Sequence, residues 1–496
     1  MMARSAYATS LGKLLEHWVD LSDDQTGLGS SQVTGLGLDS RQLAPGEVFV
    51  AIRGHSSHGL EHAEKALEAG AVAVLVDSED APASTGRDNR IIAFERLECR
   101  LGDLARRFWH DPVAHLKIHG ITGTNGKSSC AWMIAQATGG AMIGTLGIGR
   151  PGELAESSHT TPDILSLYRA LAGLRDAGVE QVALEVSSHA LDQDRIHGLA
   201  FDTVVFTNLG EDHRDYHSSP GGYGEAKARL FSDYPARRLL INADDEFGRS
   251  LIREHKETPG LWRYSLDVDD SVELSARVTS SDINGQELQI ETPAGRFTLG
   301  TRMLGRFNGA NLLVTAGILA SQGVAVEEIR KRLADVEPVP GRMNRLPGRG
   351  RQPDVVIDYA HSPDSLEQVL AALASICEGK LWCVFGCGGE RDREKRPRMG
   401  AVVERVADRI LLTDDNPRGE DGLAIIRQIQ SGMARPDRAR VIRDRARAIE
   451  TAIDEAGPDD LILVAGKGHE TYQEIEGRRI PFSDFQVVSR IREEAA

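Results

Sequence analysis

The chain has 496 residues, 41% of them apolar and 27% charged, and a formal charge of −16. That is length for about three globular domains, and the acidic balance argues against a nucleic-acid partner, which needs basic patches to neutralise phosphates. It leaves room for a phosphorylated small ligand held by a local loop. No apolar run approaches the roughly 18 residues of a membrane span, so no membrane partner is expected. The five cysteines (Cys99, Cys130, Cys377, Cys383 and Cys387) have no paired spacing, which predicts a reduced, cytoplasmic chain without a zinc site.

In chain order, Leu11, Leu14, Leu15 and Trp18 fall at helical spacing among polar residues and predict an amphipathic helix, not a signal peptide. Residues 48–52 and 71–76 read as short strands, with 60–69 helical between them. The turn Asp39-Ser40-Arg41 and the loop Gly54-His55-Ser56-Ser57-His58-Gly59 are polar segments at strand ends; the residues alone fit a surface turn as well as a ligand contact.

The organising stretch is Gly123-Thr124-Asn125-Gly126-Lys127-Ser128-Ser129. It follows the buried-strand pattern of 116–121 and precedes a helical run from Cys130. Glycines let backbone N–H groups approach phosphate oxygens, and a helix N-terminus adds partial positive charge. Lys127 is positioned to reach the β/γ-phosphates and Ser128 to offer its hydroxyl to Mg²⁺. The generic pattern has a further glycine where this chain has Ile121.

From there to about residue 340, strands and helices alternate, as in an α/β domain with a mostly parallel sheet. The strand at 182–184 runs into Glu185-Val186-Ser187-Ser188-His189, and the strand at 203–206 into Thr207-Asn208-Leu209 and then Asp212-His213. Ligands gather beyond the carboxyl ends of such strands, which makes Glu185 a candidate Mg²⁺ ligand. Lys227, on a helical run at 224–231, reads on spacing alone as a solvated lysine. Pro338-Val339-Pro340-Gly341-Arg342 marks a boundary. Beyond it four apolar strands each enter a loop rich in Gly, Arg, Asp or His: at 358–363, 386–391, 414–418 and 466–470. Four such loops on one rim describe a binding crevice. The expected division is therefore 1–110, 111–340 and 341–496, with a P-loop domain in the centre and a Rossmann-like C-terminal domain.

Ten segments together resemble the Mur ligase family, ATP-dependent amide ligases that build the peptide stem of peptidoglycan. They are Leu38-Asp39-Ser40-Arg41, the glycine loop, Thr160-Thr161-Pro162, Glu185 to His189, Asp215-Tyr216-His217, Gly305-Arg306-Phe307-Asn308, Pro340 to Met343, Asp358-Tyr359-Ala360-His361, Asp415-Asn416-Pro417-Arg418 and Gly466-Lys467-Gly468-His469-Glu470. The resemblance implies a cytoplasmic, monomeric enzyme with three small-molecule substrates: ATP, UDP-N-acetylmuramoyl-L-alanyl-D-glutamate and meso-diaminopimelate. A lysine-adding ligase and a folylpolyglutamate synthetase are the neighbouring alternatives, and a nucleotide-hydrolysing switch is one of another class.

The same resemblance implies roles for residues. Leu38, Ser40, His55, Ser56 and Ser57 would hold the uridine nucleotide in the first domain. His159, Thr160, Thr161, Ser187, Gln193 and Arg195 would hold the muramyl dipeptide part. Gly123, Thr124, Asn125, Gly126, Lys127, Ser128 and Ser129, with Asn308 and Arg342, would hold ATP. Ser128, Glu185, His213 and Lys227 would surround Mg²⁺, Lys227 as a carbamate formed from CO₂, since an ammonium would repel the metal. Arg391, Asp415, Asn416, Pro417, Arg418, Gly466 and Glu470 would form the diaminopimelate pocket, with Arg418 on the distal carboxylate and Glu470 toward the distal ammonium. The plain alternative for Arg418 is a surface pair with Asp414 or Glu420. The chain departs from the family pattern at His58, His159, Gly210, Glu211 and Arg214.

Overall fold

A computed structural model describes residues 7–21, 25–54, 57–81, 88–157, 159–210, 220–267 and 271–494. Three α/β units follow one another along the chain, each built on its own sheet. The first has four parallel strands in sequence order, Gly35–Gly37, Glu47–Ala51, Ala73–Asp77 and Ile91–Phe94. The expected N-terminal helix is short, Leu11–Leu15 capped by the Ser10 side chain, and Trp18 lies past its end in a turn.

The central sheet has ten strands, with Lys117–Thr122 between Gln181–Glu185 and Phe201–Phe206, all parallel. The centres of these strands are apolar and buried because both faces are covered. Successive residues divide between two cores, with Val204 and Phe206 packing toward the first unit and Val205 toward the helix Arg306–Ser321. That helix and the phosphate-loop helix Lys127–Thr138 are buried nearly all round, as expected of helices with little amphipathic character. The sheet is mostly parallel, as expected, but its far edge is not. There Leu274–Asp282, Gly285–Thr292 and Gly295–Thr301 form an antiparallel meander, joined by short turns that cannot host a crossover helix.

The third sheet runs Asn344–Leu346, Asp354–Asp358, Leu461–Ala465, Leu381–Phe385, Arg409–Leu412, Ala439–Val441, parallel except for the first strand. Strand order reverses between Leu381–Phe385 and Leu461–Ala465, so the loops after these strands open a crevice at the reversal. Ile283 and Phe307 of the central unit pack against the core of the third, which ties the two together. The helix Ile164–Asp176 joins centre to first unit, with Arg169 Nη2 donating to Leu36 O at 2.8 Å. Among the described residues no helix is long and apolar enough to cross a membrane.

Candidate functional site

The phosphate loop is held by neighbouring strands as well as by its own side chains. Gly123 has φ +146°, and a Cβ there would collide with Thr207 Oγ1; Gly126, at φ +86°, caps the helix. Only glycine combines these conformations with such close approach. Thr207 Oγ1 and Asn208 Nδ2 donate to Asn125 O at 2.6 and 3.1 Å, and Asn125 N donates to Asn208 Oδ1 at 3.0 Å. Register does the positioning: Thr122 pairs with Phe206, so the next residues of both strands emerge side by side.

Lys127 Nζ donates to Gly123 O at 2.7 Å and Thr124 O at 2.9 Å. Lys227, 1% exposed, donates to the same Gly123 O at 3.0 Å, and its ammonium sits 4.2 Å above the Tyr223 ring. Burial beside the loop is where the structure departs from the solvated lysine that spacing alone favours. Tyr223, one helical turn earlier, places its hydroxyl 3.3 Å from Thr124 Oγ1.

Glu185 ends its strand fully buried. Its carboxylate accepts from Ser128 Oγ at 2.9 Å and Thr145 N at 2.9 Å, and Thr145 Oγ1 lies 2.9 Å from Thr160 Oγ1. Burial raises its pKa, opposed by the charge of Lys127 and the bond from Ser128. A buried carboxylate ringed by hydroxyls, and destabilised as an anion, suits a hard divalent cation that prefers oxygen ligands. His213 lies outside the described residues, as do Glu211, Arg214 and the Asp215-Tyr216-His217 segment.

Behind Glu185, Thr161 Oγ1 donates to the Glu185 carbonyl at 2.7 Å and accepts from Ser187 N at 3.1 Å, while Ser187 caps the helix Ser188–Asp192. Arg195 donates to Thr161 O at 2.9 Å and to Gln193 Oε1 at 2.9 and 2.7 Å. Thr161, Ser187, Gln193 and Arg195 thus form one bonded patch beside Glu185, Thr160 is tied to Thr145, and His159 is exposed beside them. In the first unit Leu38, Ser40 and Ser57 lie half-buried past strand ends; His55 and Ser56 are outside the described residues. His58 caps the helical turn Gly59–His62 through Nδ1 and pairs through Nε2 with Asp80 at 3.1 Å.

A cleft of ≈ 620 Å³ runs from the phosphate loop to the third unit, lined by Asn125, Gly126, Asn208 and Asn311 on one side and Asp358, Gln368 and Ala372 on the other. Arg342 reaches it with its guanidinium 4.7 Å from the Tyr359 ring centroid. Asn308 does not line this cleft. It is buried, bonded to Leu304 O at 2.9 Å, and its Oδ1 accepts at 3.2 Å from Asn311, which does face the cleft one helical turn further on. Burial lowers the pKa of His469 to about 4, helped by Arg342, so its ring is neutral near pH 7.

On the rim of the third unit, Asn416 Nδ2 donates to Glu470 Oε2 at 2.8 Å. Lys467, fully buried, donates to that same oxygen at 2.8 Å and to Asn416 Oδ1 at 3.0 Å. Glu470 therefore already carries one ammonium. Arg418 Nη1 donates to Gly389 O at 2.7 Å and Nε sits 3.3 Å from Glu474 Oε2. Asp414 is taken by Arg443 at 2.8 Å and Glu420 by Arg396 at 3.0 Å, so the plain surface pairing considered for Arg418 is not what forms. Gly466 packs on Asp415, whose carbonyl accepts from Gln473 Nε2 at 2.9 Å. Pro417 O accepts from Glu420 N at 3.0 Å. Arg391 is exposed and makes no side-chain bond to another described residue. Thr145, Asn311, Lys467 and Glu474 join the site from outside the sequence-based set. Lys467 lies inside one of the ten motifs and Asn311 one turn from Asn308, whereas Thr145 and Glu474 carry no local signal.

A nucleotide-type loop, a buried acidic centre and a second α/β unit facing it across one cleft define an ATP-using ligase of the Mur type. The chain belongs to the Mur ligase family: residues 32–109 match the Mur ligase family catalytic domain, 121–319 the Mur ligase middle domain and 341–468 the Mur ligase glutamate ligase domain. UDP-N-acetylmuramoyl-L-alanyl-D-glutamate–2,6-diaminopimelate ligase of Xylella fastidiosa is 45% identical over 466 residues, 92% of this chain and 94% of that one. A solved ligase of the same name is 32% identical with a TM-score of 0.69, covering 98% of this chain and 99% of its own. The MurF ligase of Thermotoga maritima, solved with ADP, shares the fold at 16% identity and a TM-score of 0.63, over 93% and 97% of the two chains.

Proposed function

We propose that this chain joins meso-diaminopimelate to the D-glutamyl side-chain carboxylate of UDP-N-acetylmuramoyl-L-alanyl-D-glutamate, using ATP, in cytoplasmic peptidoglycan precursor synthesis. The observation that carries this reading is the cleft walled by Asn125, Gly126 and Asn311 of one unit and Asp358 of the next. Such a cleft presents ATP at the junction between an acidic acceptor site and an amine pocket.

A carboxylate is a poor electrophile, so its oxygen first takes the γ-phosphoryl group and ADP departs. The amine nitrogen then bonds to the acyl carbon, phosphate leaves with the C–O electron pair, and the amine gives up a proton. The nucleophiles belong to the substrates, so the protein's work is placement and charge neutralisation. Lys127 exchanges its bonds to Gly123 O and Thr124 O for phosphate oxygens, and loop N–H groups hold the rest. Thr160, Thr161, Ser187, Gln193 and Arg195 orient the dipeptide carboxylate toward that phosphate, with Leu38, Ser40 and Ser57 on the nucleotide of the same substrate. Asn311, supported by Asn308, and Arg342 hold the adenosine end, leaving Asn308 a supporting part.

Mg²⁺, held by Ser128, Glu185, His213 and a carbamate on Lys227, would offset the charge of the triphosphate and of the group in transfer. Lys227 suits that modification: a carbamate keeps one N–H for Gly123 O and exchanges a buried cation for an anion beside the loop. Asn416, Arg418, Gly466 and Glu470, with Asp415, Pro417 and Arg391 at the edge, would receive diaminopimelate. We assign 1–110 to the nucleotide-sugar, 111–340 to ATP and 341–496 to the amino acid, with the enzyme acting as a monomer.

The test is ADP release across a substrate panel. Turnover is expected only when the UDP-muramyl dipeptide and meso-diaminopimelate are both present. Equal or better turnover with L-lysine would make it a lysine-adding ligase. Turnover with a folate and glutamate would make it a folylpolyglutamate synthetase, and hydrolysis without either acceptor would make it a switch.

A further inference from the structure

We propose that Glu474 is the positioning residue of the amine pocket, fixing Asn416 and Arg418 in the arrangement that grips the substrate's distal carboxylate. The inference rests on reading Asn416 to Arg418 as that pocket. Glu474 lies on the hairpin Tyr472–Ile475 and Arg478–Pro481, past the last residue, 468, matched to the family's glutamate ligase domain.

Three contacts converge on it, and a fourth from Glu476 completes the clamp. Its backbone N–H donates to Asn416 Oδ1 at 3.0 Å, which leaves the amide's Nδ2 for Glu470 and so fixes the orientation of the group. Its carbonyl accepts from Arg418 N at 2.9 Å, and Arg418 O accepts from Glu476 N at 2.8 Å. This backbone clamp holds Arg418 at φ +51°, a left-handed conformation that a non-glycine residue keeps only when its surroundings impose it. Finally, its carboxylate pairs with Arg418 Nε at 3.3 Å, both side chains being about a quarter exposed or less, 26% and 21%.

A guanidinium is a rigid planar fork, so two anchors define its plane. Glu474 takes the Nε edge and Gly389 O takes one Nη1 hydrogen. What remains is Nη2 and the second Nη1 hydrogen, donors that can meet a carboxylate with more than one N–H···O bond. The negative charge of Glu474 also repels a substrate carboxylate from the wrong edge. Without it Arg418 keeps its charge but must be immobilised at the moment of binding, which weakens the grip by about tenfold.

Glu474→Gln is the informative variant, because both of its backbone contacts survive it and only the carboxylate's charge is lost. Measured by ADP release, KM for meso-diaminopimelate should rise about tenfold, while KM for ATP stays at the wild-type value and kcat changes by about twofold or less. In an Arg418→Ala background the same substitution should add almost nothing, since there is no guanidinium left to orient. An unchanged amine KM in Glu474→Gln overturns the proposal, as does an effect that persists undiminished beside Arg418→Ala or spreads equally to ATP. If Arg418→Ala itself leaves amine KM and amine preference untouched, the pocket reading beneath the proposal falls, and the proposal with it.

Discussion

Lys127 and Lys227 donate to the same carbonyl oxygen, that of Gly123, at 2.7 and 3.0 Å. Two cations on one neutral acceptor is an arrangement that an anion resolves, and triphosphate is the anion the loop is shaped for. Lys127→Ala should therefore fold normally and lose ligation by at least roughly 10²–10³-fold, the scale of removing one preorganised donor from developing charge. The check is turnover at saturating ATP alongside the thermal midpoint. A folded variant with near-normal turnover would remove Lys127 from the phosphates.

For Lys227, a carbamate needs the nitrogen but an equivalent charge can come from elsewhere. Lys227→Ala should be nearly inactive, and acetate or another short carboxylate should restore part of the activity by entering the space the side chain vacates. Chloride at equal ionic strength should restore nothing. Wild-type activity in the folded variant without any added carboxylate would refute the role.

Much of this geometry was legible in the sequence, because it lives at strand ends and strands announce themselves. The short, largely apolar runs before Gly123, Glu185 and Asp358 marked both the strands and the rim where the site sits. Burial was not legible. Lys227 carries no sign in its helix that it faces Gly123 O, and Asn308 and Asn311, three apart on one helix, look interchangeable until packing turns only the second to the cleft. Side-chain pairing across sequence distance was equally hidden: Glu474 reaches Arg418 through a hairpin whose alternating residues look like any surface turn. The antiparallel strands from 274 to 301 escaped notice because polar alternation in edge strands resembles loop composition.

Glu420 should couple the stability of the third unit to pH. Its carboxylate binds the fully buried Arg396 at 3.0 Å through both Nη atoms and accepts from Glu390 N, holding the loop that presents Gly389 to Arg418. The bond from Arg396 lowers its pKa from 4.5 to about 2. A folded value below the unfolded one contributes stability that is full above about pH 4.5 and is lost as the pH falls toward 2. Because the side chain is 13% exposed, part of that gain is screened, and about 2 kcal/mol is expected at pH 7. Urea unfolding of wild type and Glu420→Gln should show a gap of that size at pH 7 that narrows from about pH 4.5 downward. A gap constant between pH 7 and pH 3.5 would mean the carboxylate's charge contributes nothing.

Arg418 is expected to decide the choice of amine. Meso-diaminopimelate and L-lysine differ by one carboxylate at the far end of the side chain, so a pocket that selects the former must present a cation there. The surroundings of Arg418 hold it ready for that carboxylate. Pro417 fixes its own φ and restricts Asn416, Glu474 and Gly389 fix the guanidinium, and Asp414 and Glu420 are occupied by other arginines. Losing a charge-assisted bond to a charged ligand costs roughly 2–4 kcal/mol, or about thirty- to nearly a thousand-fold in kcat/KM. Arg418→Ala should therefore lose that much with meso-diaminopimelate and far less with L-lysine, whose side chain never used the contact. Measuring kcat/KM for both amines with both proteins separates the contact from general damage to the pocket. If wild type prefers lysine, or the variant keeps its full preference for diaminopimelate, the distal carboxylate is bound somewhere else.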